Sequence, residues 1–165
     1  MAHVTLRGKP VTTIGELPAV GSKIPTFSLT KSDLSEMTNA DLDGKRTILN
    51  IYPSIDTPTC ATSTRKFNEL ASSLENTTVI CVSADLPFAQ RRFCGAEGLK
   101  NVQTGSTFRS DFGKTFGVAL LDGVMKGVLA RAVVVTDEQG TVIHTELVGE
   151  IADEPNYAEA IKALK

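Results

Sequence analysis

Short apolar runs and one helical stripe alternate along the first half of the chain. The two strongest runs span residues 47–52 and 78–83, and their near-continuous apolar character is typical of central strands. Between them, apolar residues recur at the i, i+3, i+4, i+7 spacing of a helix packed on one face, at Phe67, Leu70, Ala71 and Leu74. Strand, helix and strand in this order predict a right-handed βαβ unit whose helix ends near residues 75–76.

The remaining segments predict shorter elements around this unit. Before it come a hairpin over 3–14, a short strand over 27–30 and a polar, broken segment over 31–45. After it, Asp85-Leu86-Pro87 opens a short helix that ends at Gly95 or Gly98, and Val102 marks a minor strand position. A short helix over 112–117 and a glycine-rich loop over 117–130 follow. The chain ends with two antiparallel strands, over 132–136 and 141–148, and a last helix from Pro155. The order predicts an α/β, thioredoxin-like fold: one domain over residues 1–165, with a central mixed β-sheet flanked by helices and an N-terminal β-hairpin extension.

Composition narrows the class of protein. A length of 165 residues suits one domain with a sizeable core, and 41% hydrophobic and 22% charged residues are ordinary for a globular chain. A net charge of −2 provides no electrostatic basis for binding nucleic acid or an anionic membrane. No stretch has the apolar core of a signal peptide or the roughly 20 apolar residues of a membrane helix, so we expect a cytoplasmic protein. Three cysteines are too few for a disulfide scaffold.

One of those cysteines, Cys60, falls where a first helical turn is expected. Thr57 is a good N-cap, with a hydroxyl that can accept from the amides ahead of it, and Pro58 suits the first helical position. Cys60 then lies among the free amides at the positive end of the helix dipole, and these conditions favour a thiolate. The alternative, a small buried apolar residue, is less consistent with this local context.

The other two cysteines differ in context. Cys94 follows Arg91 and Arg92, which could stabilise a thiolate or could form a solvated face. A second thiol is chemically useful because a sulfenic acid on Cys60 needs a partner with which to condense. Cys81 lies in the middle of an apolar strand and is interpreted as inert core.

Other kinds of site find little support. The chain has no Cys-x-x-Cys or Cys/His ligand spacing, so a structural zinc site is not expected. A Cys–His hydrolase would need His144 beside Cys60, but its alternation with Ile143 and Thr145 favours a solvated strand face. The glycine-rich stretches match no nucleotide-binding motif.

The stretch Pro53-x-x-x-Thr57-x-x-Cys60 resembles the active-site signature of the peroxiredoxins. The similarity extends over essentially the whole chain, and the segment Phe-Cys-Gly-Ala-Glu-Gly at 93–98 resembles the atypical two-cysteine members. The resemblance implies that Cys60 is the peroxidatic cysteine and that Cys94 is the resolving cysteine, through an intrachain disulfide. Thr57 would hydrogen-bond the thiolate and the peroxide, Pro53 would shield the pocket, and Arg131 would hold the thiolate and polarise the peroxide.

The same resemblance implies an antioxidant enzyme that reduces hydrogen peroxide and alkyl hydroperoxides. Thioredoxin would be the reductant, the protein would be a homodimer, and neither a metal nor an organic cofactor would be required. Because Cys60 and Cys94 are predicted on separate helices, we expect both helix ends to unfold locally during turnover. Relatives often have Gly-Val where this chain has Pro58-Thr59, which should stiffen the helix start. Two other functions stay open, a redox sensor that passes its disulfide to a partner and a binding protein with inert thiols.

Overall fold

The centre of the protein is a mixed β-sheet, in a computed structural model that describes residues 1–165. The strands are β1 His3–Leu6, β2 Lys9–Thr12, β3 Ser28–Thr30, β4 Glu36–Thr38, β5 Arg46–Ile51, β6 Thr77–Ser83, β7 Gln103–Ser106, β8 Ala132–Thr136 and β9 Val142–Leu147. The helices are α1 Pro58–Ala71, α2 Pro87–Glu97, α3 Phe112–Thr115 and α4 Tyr157–Lys162, with a 3-10 turn at Asn39–Leu42. No helix is both long enough and apolar enough to cross a bilayer.

The sheet has seven strands in the order β4-β3-β7-β6-β5-β8-β9. β5, β6 and β7 run parallel, which confirms the predicted βαβ unit, and β8 and β9 form the predicted antiparallel pair. β1 and β2 form a separate two-stranded hairpin. The predicted α/β, thioredoxin-like architecture with an N-terminal hairpin is therefore confirmed.

Alternation along β5 divides the core between the two faces of the sheet. Leu49 and Ile51 join one apolar cluster, whereas Ile48 and Tyr52 join another that contains Cys60 and residues of α1, α2 and α4. Side chains on a strand alternate between faces, so Asn50 lies on the same face as Ile48 and Tyr52. The βαβ unit thus directs one polar and several apolar side chains of β5 towards the helix that carries Cys60.

Several predicted boundaries were wrong. α1 ends at Ala71 instead of near residue 75. Directly after Ala71, the hydroxyls of Ser72 and Ser73 donate to carbonyls of the last helical turn and so end the helix. α4 begins at Tyr157 instead of Pro155, because Asn156 caps it by accepting a hydrogen bond from the amide of Glu159.

Other differences arise from tertiary pairing. Residues Glu36–Thr38, in the segment predicted to be broken, form an edge strand because they pair with Ser28–Thr30. Val102 itself is not in a strand, and β7 begins one residue later, where pairing with β6 starts. The loop over 117–130 is confirmed, with a bridge between Ala119 and Leu129 beside the hairpin. These local sequences have weak strand propensity, and their structure depends on the neighbours that they meet.

Candidate active site

Cys60 lies in the first turn of α1, as predicted. Thr57 is the N-cap residue and Pro58 takes the first helical position. The side chain of Cys60 is fully buried, and its thiol is free. No acceptor within the protein takes the backbone N–H of Thr59 or Cys60. The sulfur is therefore close to the positive end of a helix that has unused amide donors.

The hydroxyl of Thr57 does not cap the helix, contrary to the prediction. It donates to the carbonyl of Ser54 at 2.9 Å instead and accepts no bond from the helix amides. The turn from Ser54 to Thr57 is closed by a backbone bond between the same two residues, at 3.1 Å, which brings the hydroxyl near that carbonyl. The local geometry of the turn, which sequence rules for capping do not describe, decides the partner of the hydroxyl.

Arg131 reaches Cys60 from the other half of the chain. It directly precedes β8, and pairing of Ala132 with Ile51 brings it beside the loop that leads to Cys60. Its guanidinium is almost fully buried; Nε donates to the carbonyl of Ile151 at 2.7 Å, and Nη2 lies 3.3 Å from Cys60 Sγ. Nη1 has no hydrogen-bond partner. A buried cation beside a thiol favours the thiolate form.

A network of buried hydroxyl groups forms hydrogen bonds around the backbone carbonyl of Cys60. The hydroxyls of Ser63 and Thr64 each donate to the Cys60 carbonyl at 3.0 Å. Because Thr64 has a single hydroxyl hydrogen, the phenol of Tyr52, at 3.1 Å, donates to Thr64. Burial raises the pKa of Tyr52 well above its ordinary value, which keeps this donor neutral. This network was not predicted from the sequence, although a serine and a threonine three and four residues after Cys60 are a usable signal for such bonds.

Asp85 holds the loop that contains Pro53. Asp85 lies in the stretch Asp85-Leu86-Pro87 that predicts the start of α2, but it does not cap the helix, because Leu86 takes the N-cap position. The carboxylate of Asp85 instead accepts bonds from Ser54 Oγ and from the backbone N–H of Ile55, both at 2.7 Å. Pro53 itself is buried. The ends of parallel strands β5 and β6 meet at one edge of the sheet, which explains why Asp85 reaches this loop.

A cavity of about 550 Å³ opens beside the site. Pro53, Thr57 and Arg131 form one part of its wall. Arg7 and Lys9 of the hairpin also line it, and much of the remaining surface is apolar, from Leu6, Val11, Val124, Met125 and Ile151. The cavity thus combines a polar end, near the guanidinium, with a largely apolar body that could accept an organic substituent.

Cys94 lies in α2 and is half-buried, with a free thiol. Of the two alternatives for Arg91 and Arg92, the structure shows the solvated face: both residues are exposed, and Arg92 pairs with Asp56 at 2.8 Å. Burial raises the pKa of the Cys94 thiol. It packs against the apolar cluster that contains Cys60, but the two sulfurs are not bonded. Cys94 therefore lies close to the same core in its reduced, less reactive form.

The remaining titratable candidates lie in other settings. Cys81 is fully buried on β6, and burial raises its pKa to about 12, so it has the environment expected for core. His144 lies on edge strand β9 opposite Val135 and makes no hydrogen bond with Cys60. It is half-buried and its Nε2 atom has no partner, so the predicted solvated face was wrong. No group of three His, Cys, Asp or Glu side chains is arranged to hold a metal ion.

Comparisons with known proteins agree on one group. The Redoxin family matches residues 19–161 of the chain. The thiol peroxidase of Mycobacterium tuberculosis H37Rv is 56% identical over 164 residues, and that of Corynebacterium glutamicum is 52% identical; each alignment covers 99% of both chains. A crystal structure of a peroxiredoxin-like protein from Aquifex aeolicus has a TM-score of 0.94 at 40% identity, covering 99% of this chain and 96% of that one. A thiol peroxidase structure from Chromobacterium violaceum, 21% identical with a TM-score of 0.92 and covering 99% and 96% of the two chains, shares the fold.

Proposed function

The chain belongs to the redoxin family and, within it, to the thiol peroxidases, peroxiredoxin-type enzymes that reduce peroxides; on this premise we propose that Cys60 is the peroxidatic thiol. The observation that carries the proposal is the 3.3 Å contact between Arg131 Nη2 and Cys60 Sγ. A buried guanidinium is a permanent cation, and the Cys60 sulfur is the ionisable group that lies within hydrogen-bond distance of it. The start of α1 adds a second favourable field at the same atom.

The reaction follows from this geometry. The Cys60 thiolate attacks the terminal peroxide oxygen, the O–O bond breaks, and the leaving oxygen takes a proton to give water or an alcohol. Cys60 is oxidised to a sulfenic acid. Negative charge moves onto the leaving oxygen during the attack, and the guanidinium of Arg131 and the unused amides of Thr59 and Cys60 are donors that can stabilise it.

Thr57 and Pro53 complete the proposed pocket. The hydroxyl hydrogen of Thr57 is committed to the Ser54 carbonyl, so its oxygen is left as an acceptor for the O–H of an incoming peroxide. Thr57 would thereby orient the peroxide with its terminal oxygen towards the sulfur. Pro53 has no N–H and lies buried in the wall, where it keeps competing water from the thiolate.

We propose hydrogen peroxide and alkyl hydroperoxides as substrates. Hydrogen peroxide needs only the polar end of the cavity, whereas an alkyl group requires an apolar surface next to it. The apolar body of the 550 Å³ cavity offers such a surface. Peroxide consumption by the purified enzyme, followed with hydrogen peroxide and with an alkyl hydroperoxide in turn, tests this proposal.

Cys94 is the proposed resolving cysteine. Its thiol would attack the Cys60 sulfenic acid, releasing water and forming an intrachain disulfide. A disulfide needs Cα atoms roughly 5.5 Å apart, and Cys60 is buried in an intact α1 while Cys94 belongs to an intact α2. The first turn of α1 and the end of α2 would therefore unfold locally before the bond forms.

Replacing Cys94 by serine should preserve the first turnover and stop recycling. The variant should consume one peroxide per chain, retain a sulfenic acid that dimedone traps, and lose steady-state activity with thioredoxin by about a hundredfold or more. Stopped-flow peroxide consumption and mass spectrometry of the Cys60 peptide measure both effects. A Cys94→Ser variant that recycles at the normal rate would show that another group resolves the sulfenic acid.

Thioredoxin is the proposed reductant, in the cytoplasm. Cys94 lines an open cleft of about 520 Å³ on the surface, so its sulfur is the more accessible half of the proposed disulfide. A small protein dithiol could attack it there once α2 has loosened. Peroxide consumption coupled to thioredoxin and its reductase tests this step, and a stable mixed disulfide with thioredoxin in place of turnover would favour a sensor function.

A homodimer is the proposed assembly. Three large apolar side chains are exposed near the start of α2 and after β7: Leu86, Phe88 and Phe108. Hydrogen bonds of Thr107 N to Ser83 O and of Ser106 Oγ to Asp85 O hold the two segments together. Exposed aromatic side chains on one surface are typical of an interface, and a second copy is the occupant that we propose.

The variant Phe88→Glu should weaken this dimer. A charge in an apolar interface would have to be buried without a partner, so the molar mass from light scattering should fall towards the 17.6 kDa of one chain. Val20→Glu is the matched control, because Val20 is similarly exposed, at 62% against 63% for Phe88, but lies elsewhere. Equal masses for both variants would remove this surface as the interface.

A further inference from the structure

The carboxylate of Glu150 is saturated with hydrogen bonds. Oε1 accepts from Thr5 Oγ1 and from the backbone N–H of Gly8, both at 2.9 Å. Oε2 accepts from the backbone N–H of Ala152 at 2.8 Å and of Arg7 at 3.0 Å. The backbone bonds from Ala152, Gly8 and Arg7 lower the pKa of Glu150 to about 2, so the group is ionised throughout the ordinary pH range.

The β1–β2 turn depends on this carboxylate. Arg7 has φ +52° and Gly8 has φ +81°, so two successive residues adopt the left-handed conformation. In such a turn the N–H groups converge on one side and form a concavity that attracts an anion. Arg7 is not glycine, so this conformation is strained for its side chain. Glu150 occupies the concavity and offsets that strain from a position 143 residues away.

The same short segment holds the proposed catalytic arginine. The carbonyl of Ile151 accepts Arg131 Nε at 2.7 Å, and the N–H of Ile151 donates to the Thr5 carbonyl at 2.8 Å. The carbonyl of Ala152 accepts the hydroxyl of Thr59, in the first turn of α1, at 2.9 Å. Residues 150–152 therefore join three parts of the site: the hairpin, the guanidinium and the helix start.

We propose that Glu150 is a positioning residue for peroxide reduction. By fixing the 150–152 segment to the hairpin turn, it holds the Ile151 carbonyl where it directs the Arg131 guanidinium at Cys60 Sγ. Glu150 does not touch the reacting atoms, and its effect passes through Arg131. The inference rests on the proposed function, because it assumes that Arg131 acts on the peroxide. It also assigns a purpose to the N-terminal hairpin, which anchors the arginine in addition to lining the cavity.

The test compares the rates at which Cys60 of the Glu150→Ala variant reacts with hydrogen peroxide and with iodoacetamide. Peroxide reactivity depends on a correctly aimed guanidinium, whereas alkylation by iodoacetamide has no leaving oxygen for it to stabilise. The rate with hydrogen peroxide comes from competition with a haem peroxidase, and the rate with iodoacetamide from mass spectrometry of the Cys60 peptide. We expect the ratio of the two rates to fall by about tenfold to a hundredfold, as for a misplacement of about 1 Å.

Asp122→Ala is the matched control. Asp122 is another carboxylate that anchors the hairpin, since it accepts the backbone N–H of Thr12 at 2.8 Å, but it forms no hydrogen bond or ion pair with Arg131 or with the 150–152 segment. Its removal should loosen the hairpin and leave the rate ratio within about twofold. Thermal unfolding of both variants separates a loss of stability from a change in the position of the Arg131 guanidinium. If Glu150→Ala does not fold, Glu150→Gln takes its place, because it keeps one acceptor oxygen and should show a smaller fall of the ratio.

A double-mutant cycle with Arg131→Met shows whether the effect of Glu150→Ala on the rate ratio depends on Arg131. If Glu150 acts through Arg131, Glu150→Ala should change the ratio by less than about twofold in the Arg131→Met background. Equal losses in both backgrounds, or a ratio in Glu150→Ala that matches Asp122→Ala, would overturn the inference and leave the proposed function intact. An unchanged ratio in Arg131→Met alone would instead contradict the proposed function.

Discussion

Replacing Cys60 by serine should lower the rate of peroxide reduction by about a thousandfold or more. The thiolate is the nucleophile in the proposed reaction, and a serine hydroxyl beside the same guanidinium and helix start is a far weaker nucleophile. Serine also cannot be oxidised to a sulfenic acid, so no turnover can be completed. Peroxide consumption with excess dithiothreitol measures the loss without depending on which protein reductant the enzyme uses.

Cys81→Ala is the control for that experiment. Cys81 is equally buried and packs in the same apolar cluster as Cys60, but burial raises its pKa to about 12 and it has no cation beside it. We expect the rate to stay within about twofold of the unsubstituted enzyme, with a small loss of stability from the cavity. A Cys60→Ser enzyme that kept full activity would reject the mechanism, and so would a Cys81→Ala enzyme that lost it.

Arg131→Met should lower the rate of Cys60 with peroxide by about a hundredfold to a thousandfold, the effect typical of removing one donor to a developing oxyanion. Methionine has a similar length and packs in an apolar environment, but it has no charge and no N–H donor. It removes the contact at 3.3 Å from the sulfur and the free Nη1 group together. The competition assay with a haem peroxidase gives the rate constant directly.

The stability of Arg131→Met provides a second measurement. A buried charge that is only partly paired is expensive, and replacing it by an apolar side chain is often neutral or stabilising. We therefore expect the melting temperature to stay level or to rise while activity falls, since active sites commonly retain strained or underpaired groups. Arg92→Met is the control, because Arg92 pairs with Asp56 at the surface and should affect neither quantity. A rate within about threefold of normal in Arg131→Met would contradict its assigned role.

In the proposed mechanism, the turn that carries Cys60 is closed for the attack on peroxide and opens for the disulfide to form. Arg131, through the sulfur, and Thr59, through the Ala152 carbonyl, hold it in the folded form. Ser63 and Thr64 donate their hydroxyls to the Cys60 carbonyl, and bonds of this kind bend and slightly weaken a helix. Oxidation of the sulfur would remove the charge that Arg131 attracts. If Cys94 resolves the sulfenic acid as proposed, the fold would therefore favour the closed turn for the thiolate and make opening easier for the sulfenic acid.

Local rules predicted the position of Cys60 well. The strand before it, Pro58 at the first helical position and the apolar stripe after it each follow from the identity of residues within about two turns. The same rules failed for the hydroxyl of Thr57 and for the carboxylate of Asp85. Threonine and aspartate both cap helices readily, but capping rules consider only the residues next to the helix. In the folded chain, Thr57 donates to the Ser54 carbonyl and Asp85 accepts from the N–H of Ile55 instead.

The sequence by itself determined the βαβ unit and the cysteine at a helix start. Through its resemblance to a family, it also pointed to Arg131 as the arginine expected to act on that cysteine. Tertiary structure alone decided how these parts meet. Arg131 lies 71 residues from Cys60, and the pairing of β5 with β8 brings it there. Glu150 lies still further from the hairpin turn that it fills. Periodicity and capping are properties of neighbouring residues, whereas these contacts depend on strand order and register, which the whole sheet sets.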